Sequence, residues 1–331
     1  MIIAEIGLAH DGSIGIAHSF VDALAETGVD VIKFQTHIAE AESSKYEEFR
    51  VNFSYKDKTR FDYWKRMEFS FNEWKGLKEH VEKMGMEFMS TATCIESFEL
   101  LENLGVKRYK VGSGDTMNLL LLERIASTGK PIIISNGMTD NKELDKVINF
   151  LETKKNHITL LHCYTAYPTL PEHWDLSEIS LIEKKYKISV GFSDHSGDIF
   201  SSLAATALGA KVVEFHVCFD KKMFGPDAKS SLTIKQVKEL VQGIKTIRKS
   251  LSSKKINKNI KSLKKVKDMF GKSIAIRKDK NIGDTIFLKD LESKKPAGLG
   301  VPCSEYQLIL NKKVTKKLEK GNFINYKDLS K

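Results

Sequence analysis

The sequence predicts an α/β protein, a (β/α)8 TIM barrel followed by a small β-rich domain. Two observations predict the barrel. Eight short apolar runs recur through the first three-quarters of the 331 residues, and helically periodic segments separate most of them. A third observation sets off the C-terminal part: beyond "LVQGIKTIRKSL" the runs are short, β-like and punctuated by glycine.

In order, the strand candidates are "MIIAEIG", "VDVIKFQT", "MEFMST", "KRYKVGSG", "PIIISNG", "ITLLHC", "ISVGFSD" and "VVEFHV". Intervening helices such as "FNEWKGLKEHVEKMG" and "IESFELLENLG" end on glycine, as helix C-termini do. Strands alternating with helices make a parallel sheet, and a count of eight favours closure. One long excursion follows the second strand, from about Ala39 to Phe69. It reads as too polar and irregular for core, hence as a lid or interface arm. The expected division is a barrel over 1–250, a basic linker over 251–267 and the β-rich domain over 268–331.

The net charge of +10 raises the question of nucleic acid. Much of the excess sits in "KTIRKSLSSKKINKNIKSLKKVKD", which has no aromatics to stack on bases and suits a solvated linker or helix face. No nucleic-acid partner is therefore expected. No apolar run has the length of a membrane span, the opening residues are too soon acidic for a signal peptide, and the four cysteines show no CxxC spacing. These features predict a cytoplasmic protein with no membrane partner.

In a barrel of this kind, chemistry gathers at the C-terminal ends of the strands. The polar residues falling there are Glu5, Lys33, Gln35, Thr91, Lys110, Ser113, Asp115, Ser135, His162, Ser193, Asp194, His195, Glu214 and His216. A purely structural interior would use Val, Ile and Leu at such positions, so this end is the expected site. Two lysines with several hydroxyls suit a small, multiply charged phosphate ester. "GSGD" adds a turn whose backbone N–H groups can approach an anion. His195 and His216, at the ends of adjacent strands, fit either a divalent metal with open positions or a pair of catalytic, hydrogen-bonding imidazoles. Mn²⁺ heads the metal candidates, with Mg²⁺, Co²⁺ and Zn²⁺ as alternatives. A Gly-Pro turn in "FGPDAKSS" is expected to bring Asp227 over that metal.

The motifs "IIAEIGLAHDGS", "VIKFQTH", "YKVGSGD", "SNGM", "LLHCYTAYPTLP", "GFSDHSG" and "GPDAKSS" together resemble the sialic acid synthase family over nearly the whole chain. The resemblance, which extends to legionaminate and pseudaminate synthases, implies condensation of phosphoenolpyruvate with N-acetylmannosamine or a related N-acetylated sugar. The product is a nine-carbon 2-keto sugar acid, formed with release of phosphate. It implies that Lys33, Thr91, Lys110, Ser113, Ser135 and Ser193 bind phosphoenolpyruvate and that His195 and His216 hold the metal. Gln35, Tyr167 and Glu214 would meet the sugar, while Glu5 and Asp227 would be catalytic. It further implies that the C-terminal segment is an antifreeze-like (SAF) domain. In a domain-swapped homodimer this would present Lys295 to the partner's barrel. The family usually has Arg there; lysine in "SKKPAG" keeps the charge but loses the planar fork. Two further departures bear on the sugar: "STATC" replaces Ser-Thr-Pro-Phe, and Thr165 stands where some relatives place Asn.

No protein nucleophile is needed for this reaction, so Cys94 and Cys163 read as small packing residues near the site. The alternatives are a phosphoenolpyruvate-dependent synthase acting on a phosphorylated aldose, or a non-catalytic sugar-binding relative.

Overall fold

The computed structural model describes residues 1–51, 53–252 and 260–330. It divides into two compact units, Met1–Ser252 and Ser253–Lys331.

The first unit is a closed barrel of eight parallel strands: β1 Ile2–Gly7, β2 Val31–Thr36, β3 Glu87–Ala92, β4 Tyr109–Val111, β5 Ile132–Ser135, β6 Ile158–His162, β7 Ser189–Asp194 and β8 Val213–Cys218. Each pairs with the next in parallel, and β1 with β8 closes the ring. A two-residue strand, β9 Leu232–Thr233, adds to the end of β8. Each of the eight barrel strands matches an expected run. The ring of helices covers the barrel exterior with residues such as Phe20, Trp74, Leu101 and Leu240, all buried.

Strand periodicity builds the interior in layers, because every second side chain points inward. Ile3, Val31, Met89, Ile133, Leu161 and Val212 form an apolar floor. Two residues further along the same segments come Glu5, Lys33, Thr91, Ser135, Cys163 and Glu214, all buried. Gly191 holds the place of an inward residue on β7; a Cβ there would lie 2.4 Å from the Val212 carbonyl oxygen and 2.6 Å from a Leu161 methyl. The floor has no room for a side chain at that point.

The excursion after β2 differs from the irregular, coreless segment expected. It carries helices Ala39–Glu42 and Arg60–Met67, the second started by a Thr59–Asp62 capping box. Tyr63, Trp64 and Met67 pack with Leu8 and Ala39 against Phe49, Phe53 and Phe61, so the arm has an apolar cluster of its own. Its aromatic residues are interspersed with charged ones, and the fold collects them.

In the second unit, β10 Ser273–Ile276 and β11 Leu291–Lys294 pair antiparallel. Ile274, Ile276, Ile286, Val301, Ile309 and Ile324 are among the residues of its small core. The linker expected over 251–267 needs correction. Residues 251–252 finish the helix Ile234–Ser252, and 260–267 lie within a further helix, Ile260–Phe270. The remainder, 253–259, falls outside the described residues. Leu263, Val266 and Phe270 recur at spacings of three and four among lysines, a pattern that favours an amphipathic helix over an extended tether.

Candidate functional site

The charged interior layer opens toward the C-terminal strand ends as a cavity of about 210 Å³. Glu5, Lys33, Gln35, Thr91, Lys110, Ser113, Asp115, Ser135, Tyr167, Ser193, His195, Glu214 and His216 all line it. Asp227 lines an adjoining chamber of about 260 Å³, whose wall shares Gln35, Met138, Thr165, Tyr167 and His216 with the first.

Deep in the first cavity, Lys33 Nζ lies 2.5 Å from Glu5 Oε2 and 3.7 Å from Glu214 Oε1. Lys110 Nζ lies 3.6 Å from the same Glu214 oxygen and donates to Ser135 Oγ at 2.8 Å. Ser193 Oγ donates to Glu214 at 3.1 Å, and Lys33 reaches Thr91 Oγ1 at 3.3 Å. Burial by itself would raise the Glu214 carboxyl, but Lys110 and Lys33 outweigh it and hold the group at about 2. Burial raises Glu5, with Glu214 adding repulsion against the pull of Lys33, to about 7. The ammonium of Lys33 is penalised by burial yet pushed above its ordinary value by Glu214 and Glu5. Burial lowers Lys110. The two ammonium groups, together with the hydroxyls of Thr91, Ser113, Ser135 and Ser193, offer a polyanion a cluster of donors.

Above this layer sits a rim of Gln35, Thr93, Thr165, His195 and His216, with Gly137 close against Ser113, Cys163 and Thr165. Gly137 N donates to Ser113 Oγ at 3.0 Å. A Cβ on Gly137 would stand 2.4 Å from Thr165 Oγ1, 2.6 Å from Cys163 Sγ and 2.9 Å from Ser113 Oγ. The hydroxyl of Thr165 is buried without a hydrogen-bond partner, so this cradle presents a polar atom to a ligand. Gly137→Ala is expected to weaken binding of an anionic ligand in this cavity by about tenfold or more, the loss of one or two polar contacts. Calorimetric titration beside a melting curve would check it; an unchanged affinity would show that the cradle is not used.

His195 and His216 face each other with ring centroids 5.5 Å apart. His195 Nδ1 lies 3.1 Å from the Tyr164 carbonyl oxygen, which makes that nitrogen the donor and leaves the Nε2 lone pair toward the cavity. Tyr167 Oη approaches that Nε2 at 3.2 Å. Burial and the neighbouring imidazole lower His195 to about 4, and burial lowers His216 as well. Both rings are therefore neutral donors at physiological pH, as metal ligation requires. Among the described residues no group of three or more His, Cys, Asp and Glu side chains is arranged to hold a metal ion. The pair fits a cation whose remaining positions come from substrate and water.

Glu5 Oε1 accepts from Gln35 Nε2 at 2.8 Å, tying the deep layer to the rim. The other expected residues part company here. His162 is buried but lines neither cavity, its Nε2 lying 3.1 Å from the Trp174 carbonyl oxygen. Asp194 accepts from Ser201 and Ser202 and from Ser196 N, fixing the turn after β7. Asp227 faces the outer chamber and pairs with Arg50 at 2.8 Å, a contact between residues 177 positions apart. Lys295 belongs to the second unit, its Nζ 5.0 Å from the centroid of the Phe270 ring.

Sequence reasoning missed Thr93 as a lining residue, although the period-two count continues straight to it from Thr91, while Thr165, singled out there as bearing on the sugar, lines both chambers. It also missed the arm residues Arg50, Phe53, Arg60, Tyr63 and Trp64, which line the outer chamber. No local signal marks those.

A family model described as "NeuB family" matches residues 20–256. An N,N'-diacetyllegionaminic acid synthase of Campylobacter jejuni is 34% identical over 330 residues, 98% of each chain. An N-acetylneuraminate-9-phosphate synthase of Mus musculus is 31% identical over 326 residues, 98% of this chain and 90% of that one. Among solved structures, an N-acetylneuraminic acid synthetase from Leptospira borgpetersenii, in complex with citrate, superposes with a TM-score of 0.70 at 31% identity. That match covers 80% of this chain and 89% of that one.

Proposed function

From the premise that this chain belongs to the NeuB family, the sialic acid synthases, and is an enzyme of that type, we propose that it condenses phosphoenolpyruvate with an N-acetylated hexosamine. N-acetylmannosamine or a close relative is the sugar, and the product is a nine-carbon 2-keto acid. One observation carries this reading: two contiguous chambers of different lining share His216 and Tyr167 as a common wall. The inner one, with Lys33, Lys110 and four hydroxyls, suits phosphate and carboxylate. The outer one sets apolar Leu8, Val51, Phe53 and Trp64 beside the polar Gln35, Arg50 and Asp227, a mixture that suits a sugar bearing an acetamido group.

In the reaction, C3 of phosphoenolpyruvate bonds to the aldehyde carbon of the open-chain sugar, and positive character develops at C2. Water adds at C2 and gives up a proton; the tetrahedral intermediate then breaks its C–O bond and releases phosphate. A divalent cation held by His195 and His216, Mn²⁺ foremost, would supply Lewis-acid polarisation of the aldehyde oxygen. The chain's own contribution is positioning and fixed charge. Lys33, Thr91, Lys110, Ser113, Ser135 and Ser193 immobilise phosphoenolpyruvate, Gln35 and Tyr167 border the sugar, and the Glu5 carboxylate takes the proton from water.

Phosphate release and product mass, measured with phosphoenolpyruvate, Mn²⁺ and a panel of N-acetylated hexosamines, test this directly. Turnover with phosphorylated aldoses alone would overturn it. If Glu5 is the base, only its ionised form is active. kcat/KM should then rise with pH through about 7, the value to which burial raises this carboxyl. In Glu5→Gln that rising limb should vanish.

The assembly belongs to the same proposal. A cytoplasmic, domain-swapped homodimer would let Lys295 of one chain close the partner's site and exclude water. Mixing Lys295→Ala chains with His216→Ala chains should partly restore activity, since one barrel of the heterodimer then carries neither defect. Inert heterodimers built from two nearly inactive parents would rule out closure in trans.

A further inference from the structure

We propose that Arg50, on the arm after β2, is a positioning residue that orients Asp227 and Tyr167 at the mouth of the site. This rests on the condensation reading for its kinetic consequence but not for its structural one. The Arg50 Nη2 donates to Asp227 Oδ1 at 2.8 Å, and its guanidinium lies 4.1 Å from the centroid of the Tyr167 ring. Those two partners come from different loops, one after β8 and one after β6. Arg50 joins both to a third.

Each partner in turn abuts the imidazoles. Tyr167 Oη meets His195 Nε2 at 3.2 Å, and its ring stands edge-on to His216 at 5.8 Å. Asp227 shares the outer chamber with His216. A carboxylate on a turn is free to rotate, and a planar fork that donates along its edge while stacking through its face fixes carboxylate and phenol together. Lysine can pair with Asp227 but cannot do both.

The docking of the arm does not depend on this contact. Phe53 and Tyr55 pack against Phe224 at 5.5 and 5.0 Å, and Arg66 is held by Asp57 and Asp11. Arg50 itself is 41% exposed, and an ion pair so placed contributes little to folding. Its removal should therefore leave the arm in place while freeing the two side chains it holds.

Full-length wild type, Arg50→Ala, Arg50→Lys, Asp227→Ala and the Arg50→Ala/Asp227→Ala double variant test this. In Arg50→Ala, the melting temperature and the phosphoenolpyruvate affinity should stay at wild-type values. The kcat/KM for the sugar should fall about tenfold or more, the worth of a charge-assisted contact. Arg50→Lys should recover only part of this, and Arg50→Ala should cost less in the Asp227→Ala background than in wild type, the remainder being its hold on Tyr167. Hydrogen exchange at residues 164–169 and 223–231 should quicken in Arg50→Ala, with no change over 109–135. That readout stands even if no N-acetylated sugar is turned over, an outcome that would sink the condensation reading alone. Unaltered exchange in both loops, multiplicative losses in the double variant, or a fall in phosphoenolpyruvate affinity would each overturn the role assigned to Arg50.

Discussion

Stripping the protein of divalent cations is expected to reduce phosphate release to background, and Mn²⁺ is expected to restore it. His216→Ala should give the same loss without recovery. The imidazoles are the reason. His195 and His216 are buried and held neutral, so protons do not compete for their lone pairs near neutral pH. The Tyr164 carbonyl fixes the tautomer of His195. With only two protein nitrogens offered, removing one halves the protein's share of the ligands, and affinity collapses. Metal content by atomic emission, measured beside activity and a melting curve, separates loss of the cation from loss of the fold. Full turnover by a demonstrably metal-free preparation would refute the role given to the pair.

Lys110→Ala should produce the next largest effect. Its ammonium is buried, bonded to Ser135 and 3.6 Å from Glu214, so it supplies about half of the fixed positive charge in the inner cavity. A charge-assisted contact is worth roughly 1.5–3 kcal/mol, or about tenfold to a hundredfold in kcat/KM for phosphoenolpyruvate. The sugar KM should shift far less, because the lysine lines the inner chamber and not the outer one. Deleting it also leaves Glu214 with Lys33 as its remaining nearby ammonium, and breaking a buried charge cluster costs stability. Lys110→Met keeps the aliphatic volume and separates the two consequences. A variant that loses sugar affinity and keeps phosphoenolpyruvate affinity would show the substrates assigned to the wrong chambers.

The barrel and the charged layer of its interior were legible in the sequence because strands impose a period of two. Once Ile3, Val31, Met89 and Ile133 are placed inward, Glu5, Lys33, Thr91 and Ser135 must follow on the same face, and the rim after them. No tertiary information is needed for that step. The same count excludes His162 and Asp194: each stands between two inward residues, so His162 turns toward Trp174 and Asp194 is committed to the turn after β7. The helix within the basic segment follows from a three-to-four spacing of apolar residues that the density of lysine obscures.

What the sequence determined by itself was thus the family motifs, the closed barrel and the cation-and-hydroxyl lining of its deep end. Only the tertiary structure decided which carboxylate holds a proton, how the outer chamber is walled and what Asp227 touches. Glu5 and Glu214 are the same residue type on adjacent strands. Their difference, about 7 against about 2, arises because Glu214 faces both lysines, brought in from β4 and β2, whereas Glu5 is paired with Lys33 alone. Arg50 and Asp227 lie 177 positions apart, on loops whose paths depend on packing and carry no periodic signal. Local periodicity fixes which way a side chain points along its own strand; charge and contact across loops depend on three-dimensional distance, which exists only once the chain has closed.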